Sequence, residues 1–70
     1  MPDKPPAVSF IGFGEAGQAI AEGFREEGVE RLAAWDILFP LAEGERLRRA
    51  ADRIAVRCAG SAADAVRGAD

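Results

Sequence analysis

The sequence is short of the residues that most often carry chemistry, with no histidine and a single cysteine among its 70 residues. Histidine is the commonest general base and metal ligand, so its absence argues against a metal site. Cys58 has no partner for an internal disulfide and no neighbouring histidine or lysine, so we expect a small buried thiol. An unpaired cysteine fits a reducing compartment, and we expect a cytoplasmic protein.

Long apolar runs are also missing, and without a stretch of about 18 apolar residues the sequence predicts no transmembrane helix. Residues 1–6 lack the basic and then apolar pattern of a secretory signal. The formal net charge is −3 and the isoelectric point is near 4.9, a balance that does not favour a nucleic-acid backbone. We therefore expect neither a membrane nor a nucleic acid as a partner of this small domain.

Four arginines lie close together in the second half of the chain, interleaved with acidic residues. They are Arg46, Arg48, Arg49 and Arg53, beside Glu43, Glu45 and Asp52. Mixed charge runs usually form the solvated face of a helix, which is the interpretation we prefer. The alternative is a local site for an anion.

Short apolar runs and helical periodicity alternate along the chain. They predict a strand at 7–11, a helix that ends at Gly28, a strand at 32–36, a helix near 43–52, a strand at 54–58 and a helix from Ser61 to Val66. Gly28 is placed to end the first helix in a left-handed conformation, and Gly68 to close the last one. Ser61 and Asp64 match a capping box at the start of that last helix.

Helical spacing also predicts which faces of the first two helices are buried. In the first helix these residues are Ala16, Ala19, Ile20, Gly23 and Phe24. In the second helix they are Leu47, Ala50 and Ala51.

Gly12, Gly14 and Gly17 match the pattern G-x-G-x-x-G between the first predicted strand and the first helix. The first glycine allows a tight turn, the second lets the backbone approach a pyrophosphate, and the third lets the helix pack closely on the strand. The pyrophosphate then faces free N–H groups at the helix N-terminus. We therefore expect these glycines to bind a dinucleotide cofactor.

Asp36 follows Gly17 at the expected distance of about 20 residues, at the end of the second predicted strand. A carboxylate there accepts hydrogen bonds from the adenosine ribose and repels a 2′-phosphate. Asp36 therefore favours NAD. NADP is the alternative, because an arginine on the second helix, such as Arg46 or Arg49, can override a single acidic residue.

The remaining candidate cofactor-binding residues are Phe13, Glu15 and Ala16, which complete the glycine-rich segment. The Phe13 side chain either contacts the cofactor or covers the sheet. We expect Glu15 to point to solvent, where an acidic residue suits the first turn of a helix. Trp35 is expected in the core, with the wall of an adenine pocket as the alternative.

The order β-α-β-α-β-α predicts a parallel three-stranded sheet with right-handed crossovers. Together with the glycine motif, it indicates an α/β, Rossmann-type βαβαβα fragment, truncated before the fourth strand. We expect residues 1–70 to be the N-terminal part of a dinucleotide-binding domain whose remainder lies in a longer parent protein.

From Val8 to Ala21 the sequence resembles the N-terminus of the 6-phosphogluconate dehydrogenase-like, or β-hydroxyacid dehydrogenase, superfamily, and within it a branch of NAD-binding phosphogluconate dehydrogenases. The resemblance continues to Asp70. It implies an NAD(P)-dependent oxidoreductase that oxidises a hydroxyl group of a small acid. It also implies a following helical domain that completes the active site and forms a homodimer.

Two departures from the family pattern bear on specificity. Many members end the second strand with Asn-Arg and bind NADP, whereas Asp36-Ile37 here shifts the expectation to NAD. Typical members have methionine where Ala16 stands, which loosens the inference of substrate class. The catalytic lysine of the family lies beyond residue 70, so we assign no catalytic residue to this chain.

Other functions fit the same segment. One is a reductase of the pyrroline-carboxylate or prephenate type, which would carry a different substrate domain. Another is a non-catalytic module that senses NAD(H), and a third is an engineered minimal Rossmann unit. Sequence beyond residue 70 would separate them.

Overall fold

A computed structural model of the chain describes residues 6–67 and Ala69. Its elements are, in chain order, β1 (Ala7–Ile11), α1 (Glu15–Glu26), β2 (Arg31–Trp35), a 3₁₀ helix (Ala42–Gly44), α2 (Glu45–Ile54), β3 (Arg57–Cys58) and α3 (Ala62–Val66). This order confirms the predicted alternation of strands and helices. β1 has the predicted bounds, and β2 begins and ends one residue before the predicted 32–36.

The three strands form one parallel sheet with β2 in the middle. Ala7 of β1 lies opposite Arg31 of β2, and the pairing continues to Ile11 opposite Trp35. β3 pairs with the other side of β2 over two residues. The carboxyl ends of β1 and β2 therefore lie side by side at one edge of the sheet, where the glycine-rich segment begins.

Helices cover both faces of this sheet. Phe10 of β1 points toward α1, where its ring lies 6.2 Å from the Phe24 ring. Ser9 points to the opposite face, and its hydroxyl donates a hydrogen bond to the Ala65 carbonyl of α3. Because α1 and α2 contact each other, they form one layer and α3 forms the other. The predicted α/β, Rossmann-type arrangement is confirmed.

The two faces of the sheet are packed with side chains of different size. The α1–α2 face holds the main core, which includes Phe13, Leu32 and Phe39. On the α3 face the central position of β2 is Ala33, opposite Ser9 of β1. These small side chains let α3 lie close to the sheet despite its five residues.

The buried face of α1 differs from the predicted one. The predicted residues Ala16, Ala19, Ile20 and Gly23 are exposed. The positions that turn inward are Gly17, Ala21 and Phe24, of which the periodicity predicts only Phe24. A Cβ on Gly17 would lie 3.0 Å from the Gly12 carbonyl oxygen. This contact turns Gly17, and the positions four and seven residues later, toward the sheet.

The predicted third strand at 54–58 is wrong at its start, because α2 continues through Ile54. Ile54 packs into the core from the helix. Ala55 then adopts a left-handed conformation with φ of 65°, and the Val56 N–H donates to the Ala51 carbonyl oxygen at 2.7 Å. This helix ending occupies the residues before Arg57, so β3 has only two residues.

The other predicted helix features agree with the structure. α2 begins at Glu45 after the 3₁₀ helix, and its predicted inward residues Ala50 and Ala51 are buried, with Leu47 half-buried. Gly28 ends α1 with φ of 90°. The Ser61 hydroxyl accepts the Asp64 N–H at 3.0 Å and caps α3. Gly68 lies outside the described residues.

Cys58 is exposed, so the predicted buried thiol is wrong. The physical reason is its place in β3, an edge strand that pairs with β2 on one side. Partial desolvation raises the pKa of the Cys58 thiol, against an opposing effect of Arg48. The thiol therefore stays in its protonated, weakly nucleophilic form at neutral pH.

Arg25 joins the carboxyl-terminal ends of α1 and α2. Its guanidinium donates hydrogen bonds to the carbonyl oxygens of Val29 and Glu30, at 2.8 and 2.9 Å. It also donates to those of Ile54 and Ala55, at 3.0 and 2.7 Å. Ile54 and Ala55 end α2, where carbonyl groups lack intrahelical partners, whereas Val29 and Glu30 lie between α1 and β2. One side chain therefore satisfies several carbonyl groups and ties α1 to the end of α2.

Gly44 is predicted to be irreplaceable, because a Cβ there would lie 1.9 Å from the Leu38 carbonyl oxygen. We expect Gly44→Ala to lower the free energy of unfolding by about 2 kcal/mol or more. The matched control is Gly23→Ala, where no atom lies within 4 Å of the new Cβ. That change should raise the free energy by about 0.5–1 kcal/mol. Urea unfolding followed by circular dichroism measures both, and equal stabilities would contradict the close approach.

Ala55 offers a stabilising change, because its left-handed backbone suits glycine. We expect Ala55→Gly to raise the free energy of unfolding by about 1 kcal/mol. The control is Ala63→Gly at an exposed helical position, which should lower it by a similar amount. If both variants lose stability in the same urea experiment, the left-handed conformation of Ala55 is incorrect.

Candidate functional site

The chain turns sharply at Gly12 as it leaves β1. Gly12 has φ of 99°, a conformation that side chains disfavour. Its N–H donates a hydrogen bond to the Trp35 carbonyl oxygen at 2.7 Å, which ties the loop to the carboxyl end of β2. The predicted tight turn at the first glycine is therefore confirmed.

The other two glycines of the motif differ in what the fold requires of them. Gly17 is needed for the close packing of α1 on the loop, as the Cβ distance of 3.0 Å to the Gly12 oxygen shows. Gly14 has an ordinary φ of −74°, and no atom lies within 4 Å of a Cβ built there. The fold therefore does not require glycine at position 14, and the backbone there is open to a ligand.

The N-terminus of α1 begins beside this open space. Its N-cap residue is Gly14, and no side chain caps the helix. The Gln18 N–H donates to the Gly14 carbonyl oxygen at 2.9 Å, so the N–H groups of Glu15, Ala16 and Gly17 come before the first intrahelical bond. N–H groups in this position, with the positive end of the helix dipole, favour an anion. The arrangement fits the pyrophosphate of a dinucleotide.

Asp36 lies directly after β2 and is half-buried. Its Oδ2 accepts the Phe13 N–H at 2.7 Å, and its Oδ1 accepts the Leu38 N–H at 2.9 Å. The carboxylate therefore joins the glycine-rich loop to the turn that follows β2. Each carboxylate oxygen has a second lone pair, so these bonds leave acceptor capacity for another donor.

Phe13 faces the core. Its side chain is 0% exposed, and its ring lies 6.3 Å from the Phe10 ring and 6.2 Å from the Phe39 ring. Of the two predicted alternatives, the structure shows the one in which Phe13 covers the sheet. Its backbone is the part that borders the loop. The side chains of Glu15 and Ala16 are exposed at the start of α1.

Gln18 and Trp35 complete the surroundings of the loop. The Gln18 amide donates from Nε2 to the Phe13 carbonyl oxygen at 3.1 Å, a role that sequence reasoning missed. Its position one residue after the motif is the only signal for it. Trp35 is half-buried at the end of β2, so its side chain is neither fully enclosed in the core nor fully exposed.

A groove of about 650 Å³ lies between α1 and α2 and borders the glycine-rich loop. Its lining residues come from the loop, α1, the turn after β2, the 3₁₀ helix and α2: Gly14, Glu15, Gln18, Leu38, Glu43, Arg46, Leu47, Arg49, Ala50 and Arg53. Basic and acidic side chains both line it, so its charge alone does not select an anion.

The four arginines of α2 differ in their contacts, and two of them fit the predicted solvated helix face. Arg49 pairs with Glu45 at 2.6 Å, and Arg53 pairs with Glu22 of α1 at 3.1 Å, as a solvated helix face would. Arg48 donates hydrogen bonds to backbone carbonyl groups before α2. Arg46 lines the groove, and among residues 6–67 and Ala69 it forms no ion pair.

The loop after β3 is fixed by Asp64. Its Oδ2 accepts the Gly60 N–H at 3.0 Å and an Arg57 N–H at 3.1 Å. The bond from the Gly60 N–H, with that from Arg57, holds the pKa of Asp64 below its ordinary value. The acid of this capping box thus reaches back to Gly60, one residue before the capping Ser61.

Residues 6–67 and Ala69 contain no group of three or more His, Cys, Asp or Glu placed to hold a metal ion. No helix within those same residues is long and apolar enough to cross a bilayer.

A parallel sheet covered on both faces, a glycine turn after β1 and an open helix N-terminus are the features of a Rossmann-type α/β domain. The model of a family described as NADP oxidoreductase, coenzyme F420-dependent, matches residues 7–70. The chain belongs to this family and is an NAD(P)-binding domain of an oxidoreductase. The match does not single out the 6-phosphogluconate dehydrogenase branch. No curated protein and no solved structure matches the chain.

Substitution of Gly14 should separate binding from folding. We expect Gly14→Ala to change the free energy of unfolding by less than about 1 kcal/mol, since its φ suits alanine and the space is open. The new Cβ would keep a pyrophosphate from the backbone, so affinity for NADH or NADPH should fall at least about tenfold. Isothermal titration of both nucleotides measures this effect. Gly23→Ala is the matched control and should bind as the unaltered chain does.

Proposed function

We propose that this chain binds NAD(P) with the pyrophosphate at the N-terminus of α1, against the backbone of Gly12, Gly14 and Gly17. The N–H groups of Glu15 and Ala16 belong to the same binding surface. The observation that carries the proposal is the open space at Gly14. Neither its φ nor any neighbouring atom calls for glycine, whereas a ligand that must approach the backbone closely does.

The cofactor preference is the finer part of the proposal, and Asp36 supports NAD. Its half-buried carboxylate lies at the end of β2, toward which the adenosine ribose would extend. A 2′-phosphate there would meet a like charge in a partly desolvated setting. The family description names NADP, and Arg46, which lines the groove beside the loop, is our candidate for an arginine that offsets Asp36.

For the reaction, we propose that the oxidoreductase acts on the CH–OH group of a small hydroxy acid. This part rests on the resemblance of the segment from Val8 to Ala21 to the β-hydroxyacid dehydrogenase superfamily. When bound, the nicotinamide would supply the hydride chemistry, while the residues of this chain bind and orient the dinucleotide. A reductase of the pyrroline-carboxylate type is the second candidate, because the family match is compatible with it.

The experiment is a paired titration of the chain with NADH and NADPH, read by the fluorescence of Trp35, the single tryptophan. Trp35 is a suitable reporter because its carbonyl oxygen accepts the Gly12 N–H. We expect saturable binding of both nucleotides, with NADH bound more tightly by about fivefold or more, as a like-charge contact of about 1 kcal/mol requires.

Tighter binding of NADPH would support the proposed binding site but contradict the preference for NAD. In that case Arg46→Gln should remove the advantage of NADPH. An equal response to both would leave Asp36 without a discriminating role. If the chain is folded by circular dichroism and responds to neither nucleotide, the binding proposal is contradicted.

A further inference from the structure

Asp36 accepts hydrogen bonds on both carboxylate oxygens, one from a nearby backbone group and one from a backbone group distant in the sequence. One oxygen accepts the Phe13 N–H at 2.7 Å, inside the glycine-rich loop. The other accepts the Leu38 N–H at 2.9 Å, in the turn after β2. The bond to Leu38 is a local turn contact that aspartate commonly makes, but a residue that served only as an acceptor for ribose hydroxyls would not need the bond to Phe13.

We propose that Asp36 is a positioning residue that holds the glycine-rich loop in the conformation that binds the pyrophosphate. The inference rests on the proposed function, since it concerns the same site. It adds a role that is independent of the ribose and of the choice between NAD and NADP.

Phe13 is the residue through which this positioning acts. Its ring is buried in the core, its N–H is held by Asp36, and its carbonyl oxygen accepts a hydrogen bond from Gln18. Gly14 follows directly, and its carbonyl oxygen accepts the Gln18 N–H at 2.9 Å. The Gly14 backbone is therefore held on one side by α1 and on the other by Phe13, and Asp36 acts on it through its bond to the Phe13 N–H.

A carboxylate suits this role better than any other side chain. It offers two acceptor oxygens and no donor, so it can accept both N–H groups through charge-assisted hydrogen bonds. An asparagine has one acceptor oxygen and would turn its own NH₂ group toward Phe13 or Leu38. Asp36→Asn therefore breaks one of the two bonds while it changes the side-chain volume little.

Charge and positioning predict opposite effects on the binding of a simple anion. The negative charge of Asp36 repels an anion at the neighbouring loop, so by charge alone its removal should strengthen binding. Loss of a bond that holds the loop should weaken binding instead. The sign of the change separates the two roles without reference to a ribose.

The test is a titration of the full chain with inorganic pyrophosphate, followed by the amide signals of Glu15, Ala16 and Gly17 in ¹⁵N-resolved spectra. We expect Asp36→Asn to weaken pyrophosphate binding about fivefold, the factor that one lost hydrogen bond supplies. The control is Asp52→Asn, an exposed acid on α2, which removes the same charge. It should leave the affinity unchanged or slightly higher.

Unchanged or tighter pyrophosphate binding by Asp36→Asn would overturn the positioning role. If that variant is unfolded by circular dichroism, Asp36→Glu provides the same test, because it keeps the charge but moves both oxygens by one methylene. Its affinity should fall, and an unchanged affinity would again overturn the inference. A different failure, in which the unaltered chain shows no shift with pyrophosphate or NADH, would overturn the proposed function itself.

Discussion

The close approach of α1 to the turn at Gly12 is the contact on which the rest of the site depends. With a Cβ position at Gly17 only 3.0 Å from the Gly12 carbonyl oxygen, the helix starts directly beside the end of β1. This contact determines where the open N–H groups point and which side of α1 meets the sheet. Gly12 can make the turn because its φ of 99° carries no side-chain cost, and its bond to Trp35 anchors the turn on β2.

Much of the fold could be predicted from the sequence, because local signals decide it. Pro6 and Gly12 bound the apolar run of β1, Gly28 ends α1, and Ser61 caps α3, each through its own backbone or side chain. Features of this kind depend on neighbours in the sequence. The parallel sheet then follows from the alternation of strands and helices.

The predicted buried face of α1 and the predicted length of β3 are wrong, because packing contacts decide both features. Periodicity counts apolar side chains, whereas the contact that orients α1 is made by Gly17, which has none. Ile54 carries a strand signal in its branched side chain, yet burial against the core keeps it in α2. The left-handed Ala55 that ends the helix is a conformation its residue type does not suggest. The Asp36 bond to Phe13 likewise depends on proximity in space, whereas its bond to Leu38 is local in the sequence.

In the proposed binding mode, an acidic domain attracts an anionic cofactor mainly through backbone N–H groups and not through cationic side chains. Most arginines with described partners bind other groups of the chain. Arg25 and Arg48 donate to backbone carbonyl groups, and Arg57 and Arg67 pair with Asp64. The N–H groups at the start of α1 act only over a short range, so a ligand must come close to the backbone to gain from them. In the proposed binding mode, this requirement accounts for the open space at Gly14, and the proposed role of Asp36 is to hold the adjoining loop from the end of β2. An acidic residue is tolerated there because both of its oxygens already bind N–H groups, which offset part of its charge.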